Sequence, residues 1–158
     1  MKECSNNIHF RKVVKTTENA ERSGSFEELV LRFFAYFEDR ESFVHSVKGF
    51  LNDYMEKKTE NFKNKNELRL IFNRTFKLLS TNLTDGIVRG NRKNITPIIL
   101  YEAISIGVAL AIKNNNIDAT KIEELLNNQS LKKLTTGATN NKKKLDERIE
   151  FVRDNISA

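Results

Sequence analysis

The architecture of this chain is set by one run of sequence, TPIILYEAISIGVALAIK, at residues 96–113. Residues 98–112 are apolar on nearly every side of a helix, and only Glu102 interrupts them. The run is too short to cross a bilayer and is typical of a helix buried at the centre of a domain. Thr96 is its predicted N-cap, Pro97 suits its first turn, and Gly107 predicts a close helical neighbour.

Amphipathic patterns on both sides of this run predict helices that cover it. Two of them show apolar residues at the spacing of one helix face: Val47, Phe50, Leu51, Tyr54 and Met55 in the first, and Leu68, Ile71, Phe72, Phe76 and Leu79 in the second. A final helix carries Leu145, Ile149, Val152 and Ile156 on one face, and residues 135–141 read as a loop before it.

A further helix begins after Ser25, which with Glu28 forms a predicted capping box. No stretch alternates apolar and polar residues for long enough to predict a strand. We therefore expect an all-α fold, an irregular bundle of six to eight helices around one core, with the central apolar helix near residues 97–112. Residues 1–24 are expected to form an N-terminal arm with a short helix, and residues 25–158 a single helical domain.

Reactive side chains are few and scattered. His9 and His45 have no second ligand at helical spacing, Cys4 has no activating base beside it, and the six glycines form no phosphate-binding loop. We therefore predict no catalytic residue, no metal and no cofactor, and an enzyme with an unrecognised site ranks last among the functional hypotheses.

Arg32 is unusual because it lies inside the apolar segment LVLRFFAYF. A partly buried guanidinium without a partner is very unfavourable, so a carboxylate is expected beside it. Glu102, on the central helix, is one candidate, and we predict that both residues have structural roles.

Positive charge is concentrated in residues 57–93, which contain ten basic and three acidic residues. Such a segment suits the phosphates of nucleic acid, although charged runs are more often only solvated surface. The residues predicted to contact nucleic acid are Arg69, Arg74, Lys77, Arg89, Arg92 and Lys93.

One segment resembles a known family. Residues 26–58, FEELVLRFFAYFEDRESFVHSVKGFLNDYMEKK, are similar to the C-terminal helical portion of the GmrS-like family, which is linked to modified-DNA restriction and phage defence. The turn-rich residues 84–94, the NITPIILYEAISIG helix and a closing helix around Arg148 look like the rest of that portion. The resemblance implies a partner domain of ParB-like type, with a DGQQR-type signature that handles nucleotide, and often an HNH-type nuclease domain.

Neither signature occurs in this sequence, so the resemblance carries over only the helical scaffold, including Arg32. The first hypothesis is therefore a non-catalytic accessory domain of a restriction or defence protein that packs on a nucleotide-binding partner domain and contacts DNA. The alternative is an independent nucleic-acid-binding module. A cytoplasmic location, away from membranes, is expected because Cys4 is the only cysteine and no apolar leader segment is present.

Overall fold

The computed structural model describes residues 1–137 and 141–158, and in these residues helices are the only regular elements apart from one isolated bridge between Arg89 and Arg92. The all-α class is confirmed. Ten α-helices occur in the described residues: α1 Lys2–Ser5, α2 Ile8–Val13, α3 Glu18–Arg22, α4 Ser25–Asp39, α5 Val47–Glu60, α6 Lys65–Asn82, α7 Ile98–Lys113, α8 Lys121–Leu126, α9 Gln129–Leu134 and α10 Lys142–Asn155, with a 3-10 turn at Arg40–Ser42. The predicted loop at residues 135–141 includes residues 138–140, which lie outside the described part.

Helix α7 is the centre of the domain, as the apolar run predicts. Almost all of its residues are buried, and α4, α6 and α10 pack against it from different sides. The chain has more helical segments than the expected six to eight because five of the ten contain only four to six residues. Segments of one or two turns are too short to show a helical period in the sequence.

Residues 4–14 of the expected arm contribute side chains to the core, whereas α3 has no buried residue. Phe10 of α2 is fully buried, and its ring centroid lies 5.0 Å from that of Phe76 and 5.6 Å from that of Phe26. Val13 and Val14 are also buried in the same cluster. The expected boundary between residues 24 and 25 therefore does not separate two packing units.

Two predicted helix caps are absent. Gly24 stands before α4 in the left-handed region, with φ +83°, and Ser25 is already the first helical residue, so its hydroxyl caps no amide. Glu28 instead accepts hydrogen bonds from Arg32. Pro97, not Thr96, precedes the first residue of α7. Thr96 exchanges two hydrogen bonds with Lys15, whose amide donates to the Thr96 hydroxyl over 2.8 Å.

The close neighbour predicted at Gly107 is α10. A Cβ atom placed on Gly107 would lie 2.5 Å from Cγ1 of Val152 and 2.9 Å from the carbonyl oxygen of Ile149. Real Cβ atoms do not approach other atoms so closely, so only glycine lets the two helices meet at this distance.

Candidate nucleic-acid interface

The three predicted contact residues on α6 do not share one surface. Arg69 and Arg74 are five residues apart, which turns their side chains about 140° away from each other around the helix. Arg69 is paired with Glu3 of α1 over 3.0 Å. Arg74 lines a surface cavity beside α7, and Lys77 is exposed. Arg74 and Lys77 are one turn apart and therefore neighbours on α6, but Arg69 lies away from Arg74, so the three residues do not form one continuous basic stripe.

The three predicted residues in the segment between α6 and α7 lie in three different environments. Lys93 is paired with Asp85 over 2.7 Å. Arg89 is half-buried and donates hydrogen bonds to the hydroxyl oxygens of Thr135 and Thr136. Burial lowers the pKa of Arg89 below its ordinary value. Arg92 is exposed and has no carboxylate partner among the described residues, so its charge is open to solvent.

The hydrogen bonds of Arg89 join this segment to the end of α9. The hydroxyl of Thr135 donates to the carbonyl oxygen of Leu131 over 2.7 Å, and that of Thr136 donates to the carbonyl oxygen of Lys132 over 2.6 Å. The amide of Arg92 donates to the carbonyl oxygen of Arg89 over 3.2 Å. We use the name basic corner for Arg89, Arg92, Lys132 and Lys133, the cations carried by the two segments that these links join.

The basic corner is built from two segments that contain no acidic residue. Residues 86–96 carry three cations and no carboxylate, and residues 125–145 carry five lysines and no carboxylate. Asp85 and Glu123 line a neighbouring cavity of about 280 Å³ together with Lys93. Lys132 and Lys133 were not among the predicted contact residues, although the acid-free run that contains them is visible in the sequence.

Charges in the interior are arranged differently. Glu102 of α7 accepts from Nη1 of Arg32 over 2.9 Å with one oxygen and from Nη2 of Arg148 over 2.7 Å with the other. The Arg32 side chain is 15% exposed, whereas the side chains of Glu102 and Arg148 are 3% and 2% exposed. The predicted pair of Arg32 and Glu102 is therefore present, and Arg148 adds a second guanidinium that the sequence did not reveal.

This ion triad, Arg32, Glu102 and Arg148, connects α4, α7 and α10. Burial acts to lower the pKa of Arg32, but the charges and hydrogen bonds of Glu102 and Glu28 raise it above its ordinary value. Burial, with the charge of Glu102, also raises the pKa of Tyr36. A second ion pair joins Arg40, which follows α4, to Asp146 of α10 over 2.8 Å. These groups hold helices together and are not displayed to a ligand.

No reactive centre is found among the described residues. His9 Nδ1 lies 2.8 Å from the Ser80 hydroxyl, but Ser80 is only 4% exposed, so its oxygen is inaccessible to a substrate. Cys4 is buried, and burial raises the pKa of its thiol. In the same residues no three His, Cys, Asp or Glu side chains are grouped as a metal would require. The described helices include none with the length and apolarity of a membrane span.

An apolar depression lies between α4 and α5, and we call it the α4–α5 groove. It encloses about 340 Å³, and three of the side chains around it, Met1, Met55 and Phe62, are exposed. Leu31, Phe34 and Tyr54 also line it, and the ammonium of Lys58 lies 5.5 Å from the ring centroid of Phe62. Flexible methionines beside aromatic rings are typical of adaptable protein-binding surfaces.

Comparisons of the chain with protein-family models, curated proteins and solved structures find no match. Function is therefore inferred from the charges and cavities of the molecule itself.

Proposed function

We propose that this chain is a non-catalytic helical accessory domain that contacts nucleic acid through the basic corner. The supporting observation is that Arg89 joins two acid-free segments through its hydrogen bond to Thr135, which is 46 residues further along the sequence. Arg92, Lys132 and Lys133 of the basic corner are exposed, and none of them forms an ion pair in the described part of the chain. Cations without an internal carboxylate are available to an external anion.

Nucleic acid suits this surface because such cations can neutralise its phosphates and release the counter-ions condensed on them, which favours binding at low salt. The residues proposed to contact phosphate change accordingly from those predicted by sequence. Lys93 and Arg69 are already paired within the protein, and Arg89 positions the surface by its bonds to α9. A role in DNA restriction or phage defence rests on the resemblance of residues 26–58 and remains part of the proposal.

The test is fluorescence anisotropy with a labelled DNA duplex of about 20 base pairs at about 50 mM and about 200 mM NaCl. The wild-type chain should bind at the lower salt and bind markedly more weakly at the higher salt. The variant Arg92→Ser/Lys132→Ser/Lys133→Ser should bind at least about tenfold more weakly, since each lost phosphate contact removes roughly one released counter-ion. Absence of wild-type binding at low salt would remove nucleic acid from the proposal.

A matched control separates a specific surface from overall charge. Lys48, Lys63 and Lys65 are exposed and lie on or next to α5 and the start of α6. The variant Lys48→Ser/Lys63→Ser/Lys65→Ser lowers the net charge from +6 to +3, because three cations are lost, as does the variant at the basic corner. An equal loss of binding in both variants would show that net charge alone attracts DNA.

The second part of the function concerns a protein partner, and the α4–α5 groove favours it. We propose that the groove receives a nucleotide-binding partner domain of ParB-like type, as the resemblance implies, with an apolar side chain seated against Met55 and Phe62. The exposed apolar edge and the two methionines around the groove support a protein occupant.

Titration calorimetry with a ParB-like domain encoded in the same or the adjacent gene tests this packing. Phe62→Ser should weaken the association at least about tenfold, as loss of a central aromatic anchor does at protein interfaces. Leu70→Ser is the control, since Leu70 is also exposed but lies on α6, and it should leave binding unchanged. If no such domain is encoded there, or if both variants bind as the wild type does, the groove has another use.

A further inference from the structure

We infer that the nucleic acid held by the basic corner is a duplex, gripped along its phosphodiester backbone without reading its sequence. This inference rests on the proposed function and specifies its ligand. It is drawn from the side chains that the corner contains, from those it lacks and from the length of the helix that carries its lysines.

Proteins that bind single strands stack the bases on aromatic side chains, in addition to contacting the backbone. Between Phe76 and Phe151 the sequence contains one aromatic residue, Tyr101, and no histidine. Tyr101 is fully buried, and its hydroxyl donates to the carbonyl oxygen of Leu29 over 2.8 Å. The basic corner therefore has cations but no ring on which a base of a single strand would stack.

The corner is also poorly equipped to read base edges. Helix α9 has six residues, so it is only about 9 Å long and its lysines lie within two turns. The side chain of Asn128 accepts from the amides of Ser130 and Leu131 as the N-cap, whereas Gln129, the first residue of the helix, is exposed. Gln129 is then the one side-chain amide that α9 offers to a base edge, and a single such contact cannot define a sequence, so phosphate contacts dominate.

The backbone segments that carry the cations are held together by hydrogen bonds. Lys132 and Lys133 are consecutive helical residues, so their side chains diverge by about 100° around α9. Arg92 stands in a turn whose partner residue, Arg89, is bonded to the residues that end α9. Cations whose backbone positions are held in this way suit the regular phosphate rows of a double helix, whereas a flexible strand must lose conformational entropy to meet them.

The experiment compares four labelled ligands of equal length by anisotropy at about 50 mM NaCl: a DNA duplex, a second duplex of scrambled sequence, an RNA duplex and a DNA single strand. We expect the three duplexes to bind the full chain within about threefold of each other and the single strand at least about tenfold more weakly. The salt dependence for duplex should have a slope of about −3, and Lys132→Ser and Lys133→Ser should each reduce it by about one.

The outcomes distinguish this inference from the function on which it rests. Tighter binding of the single strand, or a preference of more than about tenfold for one duplex sequence, overturns the inference but leaves the nucleic-acid function in place. A preference of that size for either the DNA or the RNA duplex would likewise contradict backbone recognition common to both. Failure of all four ligands to bind overturns the proposed function itself.

Discussion

The ion triad and the basic corner both contain arginine, but the triad buries its charges inside the fold and the basic corner exposes them to solvent. In the triad, two guanidinium groups share both oxygens of Glu102 at 2.9 Å and 2.7 Å, and the charges are almost completely withdrawn from solvent. In the basic corner, Arg92, Lys132 and Lys133 are exposed and come from segments without any carboxylate. The difference shows that a buried carboxylate can hold guanidinium groups inside this fold, whereas these three cations from acid-free segments stay exposed.

The largest effect is expected from breaking the triad. Glu102→Gln removes the buried negative charge that Arg32 and Arg148 share, which should lower the free energy of unfolding by about 3–5 kcal/mol. Urea denaturation followed by circular dichroism measures this change. Glu123→Gln, at an exposed position of α8, should change stability by less than about 0.5 kcal/mol.

Duplex binding sharpens this test. At a temperature where Glu102→Gln is still folded, its affinity for DNA should equal that of the wild type, because the triad is not part of the basic corner. A stable Glu102→Gln variant would mean that the interior ion pairs contribute little, and it would remove the basis of the comparison.

Arg89 lies between the two extremes, since it is half-buried and bonded only to neutral hydroxyls. Arg89→Met should lower stability by about 1–2 kcal/mol, because the bonds between the segment and α9 are lost. It should also speed amide hydrogen exchange at Thr135 and Thr136. Duplex binding should weaken severalfold although Arg92, Lys132 and Lys133 remain; unchanged exchange with unchanged binding would exclude a positioning role.

Glu38 provides a test that depends on pH. Burial acts to raise the pKa of this carboxyl, but hydrogen bonds from Lys58, Tyr54 and Asn64 outweigh it and lower the pKa below its ordinary value. The ionised form of Glu38 is thus favoured in the folded state. Its contribution to stability is complete at pH values above the pKa of this carboxyl in the unfolded chain, and it is lost as the pH falls through the lower pKa of the folded state. Glu38→Gln should lower stability at neutral pH by about 1 kcal/mol and flatten the acid side of the pH profile.

The smallest effect is expected at Lys93. Its pair with Asp85 is largely exposed, so Lys93→Ser should change the free energy of unfolding by less than about 1 kcal/mol. Duplex affinity should fall only about twofold, because the lysine is already neutralised locally. A drop as large as that of the triple variant at the basic corner would place Lys93 among the phosphate contacts.

The sequence predicts the interior better than the surface. Helix α7 follows from its long apolar run, and the pair of Arg32 with Glu102 follows from a charge set inside an apolar helix. Arg148 was not predicted as buried because α10 reads KKKLDERIEFVRDN, in which charged residues surround it and nothing marks one of them as internal. Only the packing of α10 on α7 gives Arg148 its position.

The basic corner could be predicted only in part. A count of charge along the sequence finds Arg89 and Arg92, but Lys132 and Lys133 belong to a distant segment that the hydrogen bonds of Arg89 bring near. The misplaced caps have a local cause. Ser25 and Thr96 have the right side chains, but α4 begins one residue earlier than predicted, directly after Gly24, and α7 begins one residue later, directly after Pro97.

The contact of Gly107 with Val152 also determines the order of events during synthesis. One face of α7 is covered by α10, which leaves the ribosome about forty residues later. Until then that apolar face of α7 stays exposed in the nascent chain. Folding is therefore expected to complete only after residues 142–155 emerge, and arrested chains released before that point should need a chaperone to stay unaggregated.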